Sequence, residues 1–362
     1  MIFFFLLISL FALAYLYKHF RVLFTGKNGR LISLLILASL LSTFLFLSFT
    51  VFAILRTLVV VGISNYFFAC ILLDLGTFAY WVIKRHTINV VKYRKISLIT
   101  MTVVVIGTLF MVSLGMHKNN NYEIREEKIS LQHGDRPLRI AFFSDVHLDP
   151  LFPHSKMKRL IHDLDSLKPD AIFFGGDLAD MGAEELDARG FDTLFHKIKA
   201  PLGFWGVEGN HEGYNTVLQG NPIPWMRNNG MTWLFDSTAC TMLFCVTGRV
   251  DLHSVAPRLP LNILEKSISP TDSRPWFVLD HRPNGLLEEE RPTRTPDLVL
   301  SGHTHAGQFF PWTWVIGLVW KLSEGYGVLD GIPWFVSSGI GSWGAPVRIG
   351  SKTELVIFDF SP

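Results

Sequence analysis

Apolar residues are concentrated in the first third of the chain, in four long stretches. These cover roughly residues 2–16, 31–55, 58–83 and 96–114, and each is long enough to cross a bilayer, although the first is at the short end. No basic residue precedes the first stretch and three more stretches follow it, which is atypical of a secretory signal peptide. The pattern predicts an all-α transmembrane region of about four helices over residues 1–116.

The loops between these stretches predict how the chain crosses the membrane. Lysines and arginines crowd the first and third loops, whereas the second loop offers only Arg56. The positive-inside rule places loops one and three in the cytoplasm. We therefore expect a multi-pass protein of the cell (inner) membrane, with the lipid bilayer as a partner and the rest of the chain on the extracytoplasmic side. Asp74 is the one acid inside a predicted span, where a functional contact, a helix-packing contact and a boundary error stay open.

Beyond the apolar region the pattern becomes that of an α/β domain. Residues 117–137 are polar and are expected to form a connector of about ten residues and a first strand. Over residues 138–362, short apolar runs alternate with amphipathic segments, beginning LRIAFFSD, HSKMKRLIHDLDSLK, DAIFFGGD, LDARGFDTLFHKIK and GFWGVEGNH. This order predicts strand, helix, strand, helix, strand. Each predicted strand ends in polar residues, and open α/β sheets place their sites at these carboxyl ends.

Composition supports this division and argues against one class of partner. The chain is 49% hydrophobic with a mean hydropathy of +0.31, too apolar for an ordinary soluble protein. The net charge is only +2 and the basic residues are scattered, so no nucleic acid is expected as a partner. Cys70, Cys240 and Cys245 are interpreted as buried small apolar residues, because the odd spacing of the last two would point them to opposite faces of one strand; a disulfide is the less favoured alternative.

The predicted strand ends carry a set of metal-binding side chains. In chain order they are Asp145 and His147 in SDVH, Asp177 in GGDLAD, Asn210 followed by His211 in GNHE, His281 in LDHRP, and His303 and His305 in GHTH. Nitrogen and carboxylate ligands without a thiolate suit Mn, Fe or Zn better than Mg or Ca. The set is large enough for two ions, most naturally bridged by Asp177. Glycines precede Asp177, Asn210 and His303, where the backbone must turn or let a ligand approach.

The motifs D-x-H, G-D, G-N-H-[D/E], H and G-H-x-H, in this order, resemble those of the calcineurin-like metallophosphoesterases. The tail beginning GHTHAGQ is similar to the bacterial membrane-associated branch, whose members carry N-terminal transmembrane helices. The resemblance implies a four-layer α/β/β/α sandwich and two divalent ions, Mn first and Fe or Zn as alternatives. It also implies the ligand sets: Asp145, His147, Asp177 and His305 for one ion, and Asp177, Asn210, His281 and His303 for the other. His211 would act with Asp177 in catalysis, over the substrate phosphate as acid or charge stabiliser.

Two positions depart from the family pattern. Asp280 stands where a small or apolar residue is usual, and Asn284 stands where an Asp commonly follows. Neither change removes a ligand. Asp280 either accepts a hydrogen bond that orients His281 or points away from it.

Several other polar residues receive ordinary interpretations. Arg249 and Asp251 could touch substrate, although a surface salt bridge is favoured, and Glu212 is expected to orient a neighbour rather than to bind metal. Five histidines are interpreted as surface or core residues: His133, His154, His162, His196 and His253.

The segment FFPWTWVIGLVWKL, residues 309–322, is unusually apolar for a segment that leaves an active site. A core role and a surface resting in the lipid interface are both open. The second option predicts hydrolysis of a phosphate ester or diphosphate of a membrane lipid or lipid-linked headgroup, by in-line attack of a hydroxide on phosphorus. The alternatives are a phosphodiesterase acting on a soluble nucleotide or nucleic acid, a non-catalytic phosphate sensor, and a scaffold for the spans.

Overall fold

The computed structural model describes residues 2–26, 28–46, 53–218, 222–252, 254 and 257–362. They fall into two compact units, Met1–Gly115 and Met116–Pro362. The helices are α1 Ile2–Leu23, α2 Gly29–Phe46, α3 Ala53–Lys84, α4 Val90–Asn120, α5 His154–Leu167, α6 Ala183–Ala188, α7 Phe191–Phe195, α8 Asn210–Leu218, α9 Ile223–Asn228, α10 Leu261–Leu264 and α11 Trp312–Val319. The strands are β1 Glu123–Ser130, β2 Leu138–Phe143, β3 Ala171–Phe174, β4 Phe204–Gly206, β5 Thr232–Trp233, β6 Ser237–Cys240, β7 Cys245–Gly248, β8 Trp276–Leu279, β9 Leu298–Ser301, β10 Gly325–Leu329, β11 Ile332–Val336 and β12 Glu354–Ser361.

The first unit is helical, as its apolar pattern predicts. Among the described residues, two helical segments are long and apolar enough to cross a membrane, Thr57–Lys84 of α3 and Val90–Asn120 of α4. Within α2 only the shorter apolar segment Gly29–Ala38 is found. Two candidate spans are therefore present, and the count of four stays a prediction.

Asp74 is a packing contact between three of these helices. Tyr15 and Lys18 of α1 donate hydrogen bonds to its Oδ2 atom at 3.1 Å and 3.0 Å, and Tyr93 of α4 donates to Oδ1 at 2.9 Å. These donors offset the cost of a carboxylate on an apolar helix. Of the three options that the sequence leaves open, the structure supports helix packing.

The second unit contains two mixed six-stranded sheets. Their strand orders are β1-β12-β2-β3-β4-β5 and β10-β11-β9-β8-β7-β6. The packing of β2 explains why all of its residues except Arg139 are apolar. Ile140 and Phe142 join one buried cluster with Phe277 and Phe335 of the other sheet, whereas Phe143 joins a second cluster on the opposite face. A strand buried on both faces favours apolar residues on both. The mixed α/β fold is confirmed, and the four-layer order stays a prediction.

The polar stretch after the helices is not the expected ten-residue connector. Helix α4 continues to Asn120 and β1 begins at Glu123, so only residues 121–122 lie between them. Strand β1 pairs in parallel with β12 at the edge of the first sheet, with alternating exposed and half-buried positions. Charged residues on an edge strand discourage edge-to-edge association, and they give this strand the composition of a linker.

A predicted helix and the cysteines also differ from expectation. The single helix expected for LDARGFDTLFHKIK is two short helices, α6 and α7, with Gly190 between them at φ 73°. Cys240 and Cys245 form a disulfide, so interpreting both as unpaired residues was wrong. They lie on two strands of one hairpin, β6 and β7, as direct cross-strand partners with Cα atoms 4.0 Å apart. Cys70 is a free, buried cysteine, as predicted.

Candidate metal centre

The predicted ligands meet where the carboxyl ends of strands from both sheets converge. Asp145 and His147 follow β2, Asp177 follows β3, Asn210 and His211 follow β4, His281 follows β8, and His303 and His305 follow β9. Strands β2, β3 and β4 are parallel neighbours in the first sheet, and β8 and β9 are parallel neighbours in the second. Parallel pairing explains why residues far apart in the chain reach one place.

The backbone at this site is in an unusual conformation. Asp145, His147, Asp177, His303 and His305 all have positive φ, between 50° and 71°. For residues with a side chain, this conformation costs on the order of 1–3 kcal/mol each and persists only where the surroundings hold it. Two backbone hydrogen bonds help to do so, from Asp145 N to the Gly176 carbonyl at 2.9 Å and from His147 N to the Asp177 carbonyl at 3.2 Å.

The neighbouring glycines are required by close packing against the ligands. A Cβ atom on Gly209 would lie 2.1 Å from the Asp177 Oδ1 atom, and one on Gly302 would lie 2.1 Å from the Asp145 Oδ2 atom. Both glycines directly precede a predicted ligand. Their role as points of close approach, expected from the sequence, therefore has a geometric basis.

The predicted ligands form two clusters, and a third group, which contains His147, Asp177 and His211, connects them. In the first, which contains Asp145, His147 and His305, the two histidine Nε2 atoms are 3.1 Å apart. The second contains Asp177, His281 and His303, with His281 Nε2 lying 3.1 Å from Asp177 Oδ2. The same Asp177 oxygen is 3.8 Å from His147 Nε2. Asp177 therefore lies between the clusters, where a bridging ligand belongs.

One buried polar atom at the site, Oδ1 of Asn210, has no hydrogen-bond partner among the described residues. An unpaired buried polar atom costs free energy, so native structures rarely leave one without a function. This oxygen is a good metal ligand, and Asp145 and Asp177 of the same site supply negative charge. The residues present therefore fit divalent cations.

The electrostatics of the site divide the predicted ligands into two groups. Burial, together with the nearby charge of His281, lowers the pKa of His303 to about 2, and burial and the charge of Arg348 hold the pKa of His305 well below its usual value. Burial raises the pKa of Asp177, but His281 and other histidines outweigh it and hold that pKa well below its usual range. These three residues are thus in the forms that bind metal. Burial lowers the pKa of His147 and His281, but nearby carboxylates outweigh it and raise these values to about 9 and about 10, so both rings must lose a proton to bind a cation.

Asp180 is a functional residue that the sequence analysis missed. Its Oδ1 atom lies 2.7 Å from Nδ1 of His211 and 3.0 Å from Nδ1 of His147. Burial raises the pKa of Asp180, but the two histidines outweigh it and lower the pKa overall. The carboxylate therefore fixes the orientation of both rings and leaves their Nε2 atoms for other contacts. The available signal was an acid three positions after Asp177 in GGDLAD.

Residues 138–307 match the family model described as calcineurin-like phosphoesterase. The chain carries a calcineurin-like phosphoesterase domain. This match covers the strands and loops that hold every predicted ligand.

Curated relatives share this region. A zebrafish transmembrane protein with a metallophosphoesterase domain is 31% identical, over 60% of this chain and 52% of its own length. An uncharacterised metallophosphoesterase of Helicobacter pylori is 28% identical, over 66% of this chain and 64% of its own length. Another from Aquifex aeolicus is 28% identical, over 68% of this chain and 95% of its own length. The chain thus spans between half and two thirds of the length of the first two relatives.

Glu212 holds two ligand loops of the phosphoesterase domain together. Its carboxylate accepts hydrogen bonds from the backbone nitrogens of Asp177, Leu178 and Gly209, at 3.0 Å, 2.7 Å and 2.7 Å. These donors come from the loops after β3 and β4. The prediction that Glu212 orients its neighbours is confirmed.

Arg249 and Asp251 contact the two residues that flank His281, Asp280 and Arg282. Arg249 is fully buried, with Nη1 3.5 Å from Asp280, and Asp251 accepts a hydrogen bond from Arg282 at 2.8 Å. The favoured surface salt bridge is therefore wrong, because both residues are buried. Asp280 also pairs with Arg258 and does not orient His281, whose Nδ1 atom lies 2.7 Å from the Gly175 carbonyl.

The histidines interpreted as ordinary lie outside the ligand clusters, as far as the structure describes them. His133 contacts Asp297 at 3.1 Å, and His154 lies 2.6 Å from the Arg189 carbonyl. None of the metal-binding groups includes His133, His154, His162 or His196. His253 lies outside the described residues.

Aromatic side chains surround the phosphoesterase site. Tyr214 and Trp343 lie 5.7 Å and 5.8 Å from the His211 ring, measured between centroids, and Trp320 lies 5.4 Å from His303. Trp343 is 59% exposed. Aromatic rings therefore lie directly beside His211 and His303.

Helix α11, in the apolar segment that follows the last ligand, does not pack into the core. It buries none of its residues, although its sequence is WTWVIGLV. Trp314 is 75% exposed and Leu318 is 87% exposed. Five of its eight residues are exposed and three are half-buried, and only Thr313 is polar. A mainly apolar helix exposed in this way on a folded domain is a candidate surface for lipid or protein contact.

Proposed function

We propose that this protein is a membrane-anchored phosphoesterase with two divalent metal ions, which hydrolyses a phosphate ester or diphosphate of a membrane lipid or lipid-linked headgroup. The observation that carries the hydrolase assignment is the pair of ligand clusters joined by Asp177, with the His211–Asp180 pair beside them. Asp145, His147, His305 and Asp177 would hold one ion, and Asp177, Asn210, His281 and His303 the other. We prefer Mn, with Fe or Zn as alternatives, because the ligands mix nitrogen and carboxylate oxygen.

The chain supplies the rest of the chemistry. When bound, the ions would neutralise phosphoryl oxygens and lower the pKa of a water molecule. Asp180 holds His211 through Nδ1, so the Nε2 atom of His211 can give a proton to the leaving oxygen. Glu212 fixes the loops of Asp177 and Asn210, so that the ligands stay in place as charge moves.

The exposed apolar surface supports a lipid substrate. Trp312 and Trp314 of α11 are exposed, and tryptophan is enriched where proteins meet the membrane interface. Only residues 121–122 separate this domain from a helix long enough to span a bilayer, so the domain is tethered close to lipid. We propose that α11 rests in the membrane interface and brings the aromatic side chains beside His211 and His303 close to a lipid headgroup.

An extracytoplasmic position of the phosphoesterase domain is part of the proposal. The basic loops of the helical region favour it through the positive-inside rule. The Cys240–Cys245 disulfide also supports it, because disulfides persist in oxidising compartments and are rare in the cytosol.

The test is headgroup or phosphate release by the full-length protein in detergent with Mn²⁺. The panel contains lipid phosphates, nucleotide-linked lipids, short nucleic acids and a soluble nitrophenyl diester, with Asp177→Asn as the blank. A preference for one lipid of about a hundredfold in kcat/KM, roughly 2.7 kcal/mol, would support the lipid assignment. Turnover of only the soluble diester or nucleic acid would reject the lipid substrate. Phosphate binding without turnover of any substrate would reject the hydrolase.

A further inference from the structure

Arg348 is a buried arginine that joins the loops around His305. Its side chain is fully buried, and no ion pair to it is found in the described part of the chain. Nη1 donates to the backbone carbonyl of His305 at 2.7 Å, and Nη2 lies 2.8 Å from Nδ1 of the same residue. A buried guanidinium is costly unless its donors are satisfied, so these contacts are strongly preferred over alternatives.

His305 needs such support because its backbone is in the left-handed region, with φ 50°. Arg348 donates to the main-chain carbonyl of this residue and so holds its backbone in this conformation. The backbone of His305 in turn sets where its imidazole lies relative to Asp145 and His147. Groups that orient metal ligands in this way tune metal affinity without touching the ion.

The guanidinium is in turn connected to the end of helix α4. Nε of Arg348 donates to the Ser342 hydroxyl at 2.9 Å, and that hydroxyl donates to Oδ1 of Asn119 at 2.8 Å. The Ser342 oxygen thus accepts one hydrogen bond and donates another. A continuous series of hydrogen bonds leads from Asn119 to a metal ligand.

The end of α4 is held by the phosphoesterase domain at further points. The buried Lys156 amino group donates to the Asn119 carbonyl, and Thr353 Oγ1 donates to the Lys118 carbonyl at 3.4 Å. The last carbonyls of a helix have no partner within the helix, and a lysine there is favourable with the helix dipole. Residues from Met116 onward belong to the same compact unit as the metal ligands.

We propose that the last turn of α4 is a structural part of the metal centre, with Asn119, Ser342 and Arg348 acting in series as positioning residues for His305. The inference rests on the proposed metal assignment. Because α4 is also a candidate membrane span, the same helix would anchor the protein and support the Asp145–His147–His305 cluster.

The test is Mn²⁺ binding by the metal-free, full-length protein in detergent. The electron paramagnetic resonance signal of free Mn²⁺ measures how much of the ion remains unbound. Ser342→Ala should raise the Kd of one of the two sites by about tenfold and leave the other unchanged. Asn119→Ala should raise the same Kd by a smaller factor. Asn119→Asp keeps the acceptor oxygen and should restore the affinity to within about twofold. The control is Asn120→Ala, an exposed neighbour on the same turn, which should bind like the wild type.

Selective weakening of one site distinguishes positioning from general destabilisation, which would weaken both. Thermal unfolding in EDTA checks each variant, and Asn119→Ala decides the test if Ser342→Ala is unstable. Wild-type affinity in both Ser342→Ala and Asn119→Ala, or an equal loss at both sites, would overturn this inference alone. A wild-type protein that binds no Mn²⁺ would instead overturn the proposed function, and this inference with it.

Discussion

The metal-ligand cluster and helix α11 follow each other in the chain and depart from ordinary protein packing in opposite directions. The cluster buries charged groups, with Asp145 and Asp177 no more than 2% exposed. Helix α11 exposes apolar ones, with Leu318 87% exposed. Each arrangement opposes folding in water, because buried charges lose hydration and exposed apolar groups keep theirs. In the proposed function, both are explained by something outside the polypeptide, a cation in one case and a lipid surface in the other.

The two regions differ in how well a sequence reveals them. The ligand cluster is recognisable from residue types in a fixed order at strand ends. The exposure of α11 depends on what packs against it, so its sequence alone left core and interface both open. Substitutions in each region can test whether the buried charges bind metal and whether the exposed helix α11 contacts lipid.

The largest effect is expected at Asp177, the carboxylate that lies between the two clusters. Asp177→Asn should lower kcat/KM on a soluble phosphodiester by at least about a thousandfold, because both ions and the charge they share are affected. It should also lower the Mn²⁺ content of the purified protein. Asp165→Asn, an exposed acid on α5, is the matched control and should retain wild-type activity.

His211 should separate rate from metal binding. His211→Ala should lower kcat by about a hundredfold to ten-thousandfold while Mn²⁺ content stays at the wild-type level, because His211 is a proton donor in this account. Asp180→Asn should show a smaller loss of rate, since it disturbs the orientation of His211 without removing the ring. Metal loss in His211→Ala that matches the loss of rate would make His211 a ligand and contradict the assignment.

Helix α11 should matter for lipid and not for a soluble substrate. The double substitution Trp312→Ser with Trp314→Ser should lower turnover of lipid by about tenfold, roughly 1.4 kcal/mol, and change turnover of a soluble nitrophenyl ester less than twofold. Met242→Ser is the control. Met242 is 78% exposed and lies in the turn at the amino end of β7, whereas the predicted metal ligands follow the carboxyl ends of their strands. Equal losses on both substrates would assign α11 to folding rather than to lipid contact.

Loss of the disulfide should lower the stability of the protein and leave its hydrolytic activity unchanged. Replacing Cys240 and Cys245 together with Ala should lower the free energy of unfolding by about 2 kcal/mol, because the short closed loop constrains the unfolded chain. Thermal unfolding measures the change, and kcat on the soluble ester should stay within about twofold. A large loss of kcat would connect this hairpin to the site and contradict the account.

The site could be predicted from the sequence to the extent that it depends on residue type and order. The predicted ligands were named in the order in which the structure brings them together, and Gly209 and Gly302 were expected at points of close approach. Asp180 was missed because its role depends on where its carboxylate lies relative to two histidine rings, which no spacing reveals. Arg348 was missed for the same reason. It lies in the loop between β11 and β12 and contacts His305, which follows β9.

The fold was predictable where burial sets the pattern. Strand β2 is apolar at every position except Arg139 because both of its faces are buried, so its identification was straightforward. Strand β1 was harder, because an edge strand keeps charged residues and resembles a linker. The disulfide depended on the turn between β6 and β7, which converts an odd spacing on one strand into a cross-strand pair.

The most direct test of the central claim is the dependence of phosphoester hydrolysis on metal occupancy. The full-length protein would be stripped of metal and titrated with Mn²⁺ while hydrolysis of a nitrophenyl diester and bound Mn²⁺ are measured together. The account predicts no activity without metal and maximal activity at two ions per chain. Asp177→Asn should show neither this activity nor the binding of two ions. Hydrolysis that persists in EDTA, or that is unchanged in Asp177→Asn, would contradict it.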